Sequence, residues 1–305
     1  MNAKKLRTAV LVVATLMATG LAAPAVNAAP GHGARTPVEQ GARPALDVTA
    51  GGGDLAAPDT ARPGPATFRV TATDLRSGHV GLVRLREGAT LDAFRTGLRK
   101  AFSDDPAVVV EGNREVTAQA ELVGGALTLP GSPGSFSLVL RPGTYHLLEY
   151  RDFQDGTVPA GRERIRALTV SGTPHGRLPS ADATVVSETV PGEGPRFRAP
   201  GRLRAGERVR FVNFMGEQVN EAVFYKLFPG KTDADVQKFF TGPDWNDLPF
   251  DPSANVGSPP LSPGRSTVLA MTLTPGRWAL VTWVGSAVDG GKLAARGMHT
   301  VITVQ

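Results

Sequence analysis

The 305-residue chain contains no cysteine. A chain outside the cytoplasm that lacks cysteine has no disulfide reinforcement and no thiolate chemistry, so its stability must come from buried apolar surface. Histidine is also scarce, with five residues, which leaves few bases and few imidazole ligands. No G-x-S-x-G elbow, H-E-x-x-H pair or phosphate-binding loop occurs, which argues against the common hydrolase, metalloprotease and nucleotide-binding chemistries. Charge of one sign is nowhere concentrated. The arginines are scattered among acids with no stripe interleaved with aromatics, a pattern that predicts no nucleic-acid partner.

One hydrophobic run stands out, and it is short. Lys4, Lys5 and Arg7 precede the apolar stretch Ala9 to Leu16, and small residues lead to Val26-Asn27-Ala28. That order predicts a secretory signal peptide over 1–28 and a secreted, extracellular mature protein with no later bilayer-crossing segment. Its removal takes three positive charges with it, lowering the formal balance from +5 to +2. Residues 29–44, rich in Pro, Gly and Arg and without periodicity, read as a flexible arm containing His32.

The remaining chain repeats itself. FRVTATDLRSGHVGLVRLREGAT (68–90) aligns almost without gaps on RFVNFMGEQVNEAVFYKLFPGKT (210–232), setting Val70 against Val212, His79 against Glu221, Leu85 against Leu227 and Thr90 against Thr232. Downstream, Pro142-Gly143, Tyr145, Tyr150 and Asp155-Gly156 align on Pro275-Gly276, Trp278, Trp283 and Asp289-Gly290, and each copy closes with an alternating segment, 165–170 and 299–304. The expected organisation is an internal duplication, with domains over 45–172 and 183–305 and a linker at 173–182.

Within each copy apolar residues recur with period two between Gly and Pro turns, which predicts all-β, antiparallel β-sandwiches. One helix per copy interrupts that period. Thr90 caps a segment burying Leu91, Phe94, Leu98 and Phe102; Thr232, with Asp235 three residues on, opens one burying Val236, Phe239 and Phe240.

The order of turns, helix and aromatic strand resembles the secreted bacterial cupredoxin-like (plastocyanin-like) family, in two tandem copies. The resemblance implies a copper end built from two imidazoles, a thiolate and a distant thioether. Carried onto this sequence, the first histidine is His79 in copy one and Glu221 in copy two. The cysteine falls at Glu149 and Thr282, the later histidine near Pro159 and Leu293, and only Gly297-Met298 survives from the closing motif. Neither copy holds a type 1 copper set, so no metal and no cofactor are expected.

The candidate ligand-binding residues are His79 and Glu221, at the corresponding strand ends, and Asp244, Trp245, Asp247 and Asp251 in the proline-bounded loop GPDWNDLPFDP (242–252). Carboxylates beside an exposed tryptophan suit calcium or a sugar ring, although the spacing lacks the calcium-loop register and Trp245 could instead pack on the preceding helix. Tyr145, Tyr150, Trp278 and Trp283, matched between copies, read as core. No catalytic residue is expected. The functional expectation is a non-catalytic binding or interaction protein whose partner is a protein, an envelope polymer or a small ligand; the alternative is a copper-handling or redox protein using a His/Met site.

Overall fold

A computed structural model describes residues 45–154, 156–174 and 176–305. The signal-peptide and arm readings, with Asp155 and His175, lie outside the described residues. Among the described residues no helix is long and apolar enough to cross a membrane.

Two β-sheets face each other across one apolar core. The eight-stranded sheet runs in space Gly194–Arg198, Ala183–Val190, Val209–Asn213, Ser266–Ala270, Gly134–Leu140, Gly64–Ala72, Leu46–Gly51, Asp54–Ala56. The ten-stranded sheet runs Arg202–Leu203, His299–Val304, Gly276–Val281, Asn220–Leu227, Phe250–Leu261, Ala120–Leu127, His79–Leu85, Gly143–Glu149, Ile165–Val170, Thr60–Ala61. Each sheet therefore divides cleanly into an N-terminal and a C-terminal half. The halves join edge to edge, Leu269 opposite Phe136 in one sheet and Gly257 opposite Leu127 in the other, so strand edges that would otherwise be exposed are paired.

The β-sandwich expectation holds, with three corrections. First, the sheets are mixed: 46–51 beside 64–72, 183–190 beside 209–213, 60–61 beside 165–170 and 202–203 beside 299–304 all run parallel. Second, the N-terminal half carries a second long helix, Pro106–Gln119, after the expected Leu91–Ala101. Asp105 caps it by accepting the Ala107 N–H at 2.9 Å, and Pro106 supplies a preset first turn. Its Val108-Val109-Val110 run favours strand locally. Packing on its neighbour overrides that preference, and Gly112 allows the contact, since a β-carbon there would lie 2.2 Å from the Ala101 nitrogen.

Third, the match of Val70 to Val212 slips by one residue in the first strand. Val70 is buried opposite Val48, and the corresponding residue opposite Val185 is Phe211, not the half-buried Val212. A one-residue shift would turn every side chain to the wrong face. The turn to the next strand absorbs the difference. From there the sequence match is in register: Gly81 pairs Gly125 and Leu148, while Val223 pairs Gly257 and Val281. Gly125 and Gly257 both sit at positive φ, 154° and 145°. A β-carbon would come within 2.4 Å of the Val80 carbonyl oxygen at the first and 2.1 Å of the Ala222 oxygen at the second. Only glycine satisfies both conditions.

The ten-stranded sheet is buried on both faces. Val80 and Leu82, like Ala222 and Phe224, point into the sandwich; Val83, and likewise Val223 and Tyr225, point outward under the helices. The N-terminal helices press Phe94, Leu98 and Val116 onto that outer face, while Asp233–Thr241 presses Val236, Phe239 and Phe240. Each such aromatic or leucine contributes roughly 1.5–3 kcal/mol by leaving water.

Candidate functional site

Strand alternation sends His79 and Glu221 to the outer face of the ten-stranded sheet, the side away from Val80 and Ala222. His79 therefore does not face the sandwich interior. Between the helix pair of the N-terminal half and the loops of the C-terminal half lies a cavity of about 540 Å³, and both residues line it. Phe102, Tyr225, Trp245, Phe250 and Trp283 supply aromatic wall; Arg151, Asn255 and Lys292 add polar groups. Across one side Asn113 Nδ2 donates to the Gly285 carbonyl at 3.0 Å, tying a helix of one half to a loop of the other.

Two polar clusters form. In the first, Arg151 Nη2 donates to His79 Nε2 at 2.8 Å, while Asn255 Oδ1 lies 3.1 Å from the same nitrogen. Burial holds the His79 imidazole well below its ordinary range; the Arg151 charge adds to this and the Asn255 contact opposes it. The ring is neutral at physiological pH. In the second cluster the Trp283 N–H donates to Glu221 Oε1 at 2.6 Å and Lys292 Nζ donates to the Trp283 carbonyl at 2.9 Å. Burial pushes Glu221 up to about 7, against the Trp283 hydrogen bond and the Lys292 charge. The indole Nε1 of Trp283 donates to Tyr225 Oη at 3.0 Å.

Beneath His79, the position at which the resemblance puts a thiolate holds Glu149, fully buried. Its carboxylate accepts the N–H groups of Gly78 at 2.7 Å, His79 at 3.1 Å and Arg151 at 3.2 Å. It thereby fixes the backbone on both sides of the first polar cluster. Thr282, the matching residue, accepts one N–H, from Val284, at 3.1 Å.

Of the six expected site residues, His79, Glu221 and Trp245 share the cavity and three do not line it. Asp244 accepts from Asn246 within its own turn, Asp247 pairs with Lys231 at 3.0 Å, and Asp251 accepts from Ser253. Each carboxylate has separate local work and they do not converge. Trp245 packs edge-on against Phe239 and Phe240, at 5.1 and 6.3 Å, while its remaining surface meets the cavity. Met298 lies in the core between the sheets, so the sheet itself separates it from outward-facing His79. His299 instead meets Asp233 and Gln237 on the helix, at 2.8 and 2.7 Å. Among the described residues no three His, Asp or Glu side chains gather as a metal would require.

Sequence reasoning missed Arg151, Tyr225, Asn255, Trp283 and Lys292 as site residues. Tyr145 and Trp278 are core as expected, and Tyr150 is buried beneath the N-terminal helices, but Trp283 keeps surface on the cavity. A strict alternation count would have found part of this: Trp283 follows the inward Thr282 and so must face outward.

No family model and no curated protein sequence matches the chain. Among solved structures, dithionite-reduced auracyanin from Roseiflexus castenholzii is 23% identical over 41% of this chain and 99% of its own, with a TM-score of 0.26. A multicopper oxidase is 13% identical over 85% of this chain and 88% of its own, TM-score 0.23. Copper nitrite reductase from Nitrosomonas europaea is 14% identical over 85% and 93%, TM-score 0.24. Superpositions at this level carry no weight for the site, and the β-sandwich rests on the strand pairing described above.

Proposed function

We propose that this is an exported, non-catalytic binding protein that encloses a small ligand between two cupredoxin-like halves, descended by duplication from one unit and without type 1 copper in either. The observation that carries the reading is the cavity itself. Its volume falls in the range typical of small-molecule sites, about 300–1,000 Å³, and it combines aromatic walls with a few fixed polar groups, as such sites do. Both halves build it, so joining two units in one chain creates something neither has alone. The paired glycines 125 and 257 and the matched strand registers support duplication. A non-catalytic role is favoured because the cavity histidine is engaged with Arg151 and Asn255 rather than with a hydroxyl nucleophile.

The test is native mass spectrometry of the mature protein recovered from its own culture medium, with ligand screening by thermal shift and tryptophan fluorescence. A stoichiometric small-molecule adduct, or a ligand that raises Tm and alters emission from Trp245 and Trp283, is expected. Stoichiometric, submicromolar copper binding lost in His79→Ala would overturn the reading in favour of copper handling.

A further inference from the structure

We propose that the ligand is a flat aromatic alcohol or N–H heterocycle that lies along Trp283, giving a hydrogen bond to Glu221 at one end and accepting one from Tyr225 at the other; this rests on the cavity being a binding site. One residue holds both anchoring groups. The backbone N–H of Trp283 donates to Glu221 Oε1 at 2.6 Å, and its indole N–H donates to Tyr225 Oη at 3.0 Å. Glu221 and Tyr225 lie four apart on one strand, so both point to the same side of the sheet, and both line the cavity. What each has left is complementary. Among the described residues Glu221 Oε2 has no hydrogen-bond partner, and nothing accepts the Tyr225 hydrogen. The carboxylate oxygen needs a donor and the phenol needs an acceptor.

Burial makes these two open positions selective. Glu221 is half-buried in a wall that includes Trp245, Phe250 and Trp283, whose rings suit a planar body. A molecule that fills the cavity without a donor desolvates the carboxylate and leaves it unpaired, which costs more than a made bond returns. Sites built to hydrogen-bond a ligand O–H or N–H reject analogues lacking it for this reason. The Glu221 carboxyl, pushed up to about 7 by burial against the Trp283 N–H and the Lys292 charge, is an acceptor above that pH and carries its own proton below it. Tyr150 and Tyr225 also face it, and burial and its charge push both phenols above their ordinary range, so they keep their protons.

Three naphthalenes of one shape test this by titration calorimetry at pH 8: 6-methoxy-2-naphthol, with donor and acceptor; 2,6-dimethoxynaphthalene, without the donor; and 6-methyl-2-naphthol, without the far acceptor. The methoxynaphthol should bind about tenfold more tightly than the dimethoxy compound, the scale of a hydrogen bond to a charged acceptor, and several-fold more tightly than the methyl one. Glu221→Gln should erase the first difference and spare the second, because the Trp283 N–H claims the amide oxygen and turns the amide nitrogen to the cavity. Tyr225→Phe should erase the second and spare the first. In the parent, lowering the pH to 5.5 should shrink the first difference alone. If either partner compound binds as tightly as the methoxynaphthol in the parent at pH 8, the inference falls and the cavity reading stands, whatever the variants do. No heat and no change in Tm with any of the three overturns the cavity reading and the inference with it.

Discussion

The two halves hold the same strand frame with different chemistry at the same end. In the N-terminal half the strand ends are tied by ions: Glu149 gathers three backbone N–H groups, Arg164 forks onto Asp152 with contacts of 2.6 and 2.9 Å, and Arg99 meets the buried Glu163. In the C-terminal half Glu221 and Lys292 hold the Trp283 backbone, and neutral groups do the rest of this work. Asn213 accepts from Ser187 and the Met215 N–H and donates to the carbonyls of Gln218 and Leu261, and an aromatic cluster of Tyr225, Phe239, Phe240, Phe250 and Trp283 fills the outer face. The frame thus demands that its end groups be satisfied, not that any particular charge be present. At the matched positions 149 and 282 the cost of failure differs, because an acceptor serving three donors strands all three when removed and an acceptor serving one strands one.

That difference can be broken most forcefully at the matched pair Glu149 and Thr282. Glu149→Ala should lose about 3 kcal/mol, since two buried N–H groups and one part-buried, at roughly 1 kcal/mol each, are orphaned. Thr282→Ala should lose about 1 kcal/mol, for one bond. Urea midpoints at constant m-value measure both. Equal losses would show that the ionic end is no more tightly organised than the neutral one.

A second pair, His79 and Glu221, sharpens the comparison through pH. His79 has a lowered value, so its contribution to stability is present above 6.5 and is lost as pH falls. Glu221, raised to about 7 from 4.5, works in the opposite sense: its contribution is full below 4.5 and is lost as pH rises toward 7. Between 4.5 and 6.5 the two slopes oppose each other. The groups facing them are Arg151 and Asn255 at the histidine, and Lys292, the Trp283 N–H, Tyr150 and Tyr225 at the glutamate. Relative to the parent, Glu221→Gln should gain stability as pH rises through this window, by about 2 kcal/mol after discounting for the surface Glu221 shows to the cavity. His79→Gln should lose stability over the same rise. Chemical unfolding at pH 4.5, 5.5 and 6.5 reads both signs, and parallel pH curves for all three proteins would remove the opposition.

Much of the frame was legible because it is written in local periods: alternation gives the strands, and Thr90 and Thr232 mark both helix starts where the structure has them. The helix 106–119 was not, because Val108 to Val110 advertise strand and only packing on 91–101 settles the matter. The one-residue slip between Val70 and Phe211 was hidden because the letters set Val70 on Val212, like on like; burial, which the letters do not carry, decides. The cavity escaped because Arg151, Asn255 and Lys292 are far apart in sequence and meet only through the edge-to-edge junction of the sheets. His79 and Glu221 share the cavity because they hold matched strand positions, whereas the acids at 244, 247 and 251 each take a local partner, as turn-forming aspartates do.

The smallest expected difference lies at the helix starts. In the N-terminal half Thr90 Oγ1 accepts the Ala93 N–H at 3.2 Å, so the hydroxyl itself satisfies one of the first-turn donors. In the C-terminal half the roles shift to the acid: Asp235 Oδ2 accepts both the Thr232 N–H and the Thr232 hydroxyl, each at 2.7 Å. These two bonds hold the Asp235 carboxyl below its ordinary range, and its negative charge sits at the positive end of the helix. Removing the Thr90 hydroxyl leaves a backbone donor without its acceptor and should cost about 1 kcal/mol. Removing that of Thr232 leaves the Asp235 bond to the backbone in place and should cost about half as much, with the larger loss appearing in Asp235→Ala. Thermal unfolding of Thr90→Ala, Thr232→Ala and Asp235→Ala orders the three. If Thr232→Ala lost as much as Thr90→Ala, the hydroxyl rather than the carboxylate would be holding the second helix start, and the halves would differ less than their bonds imply.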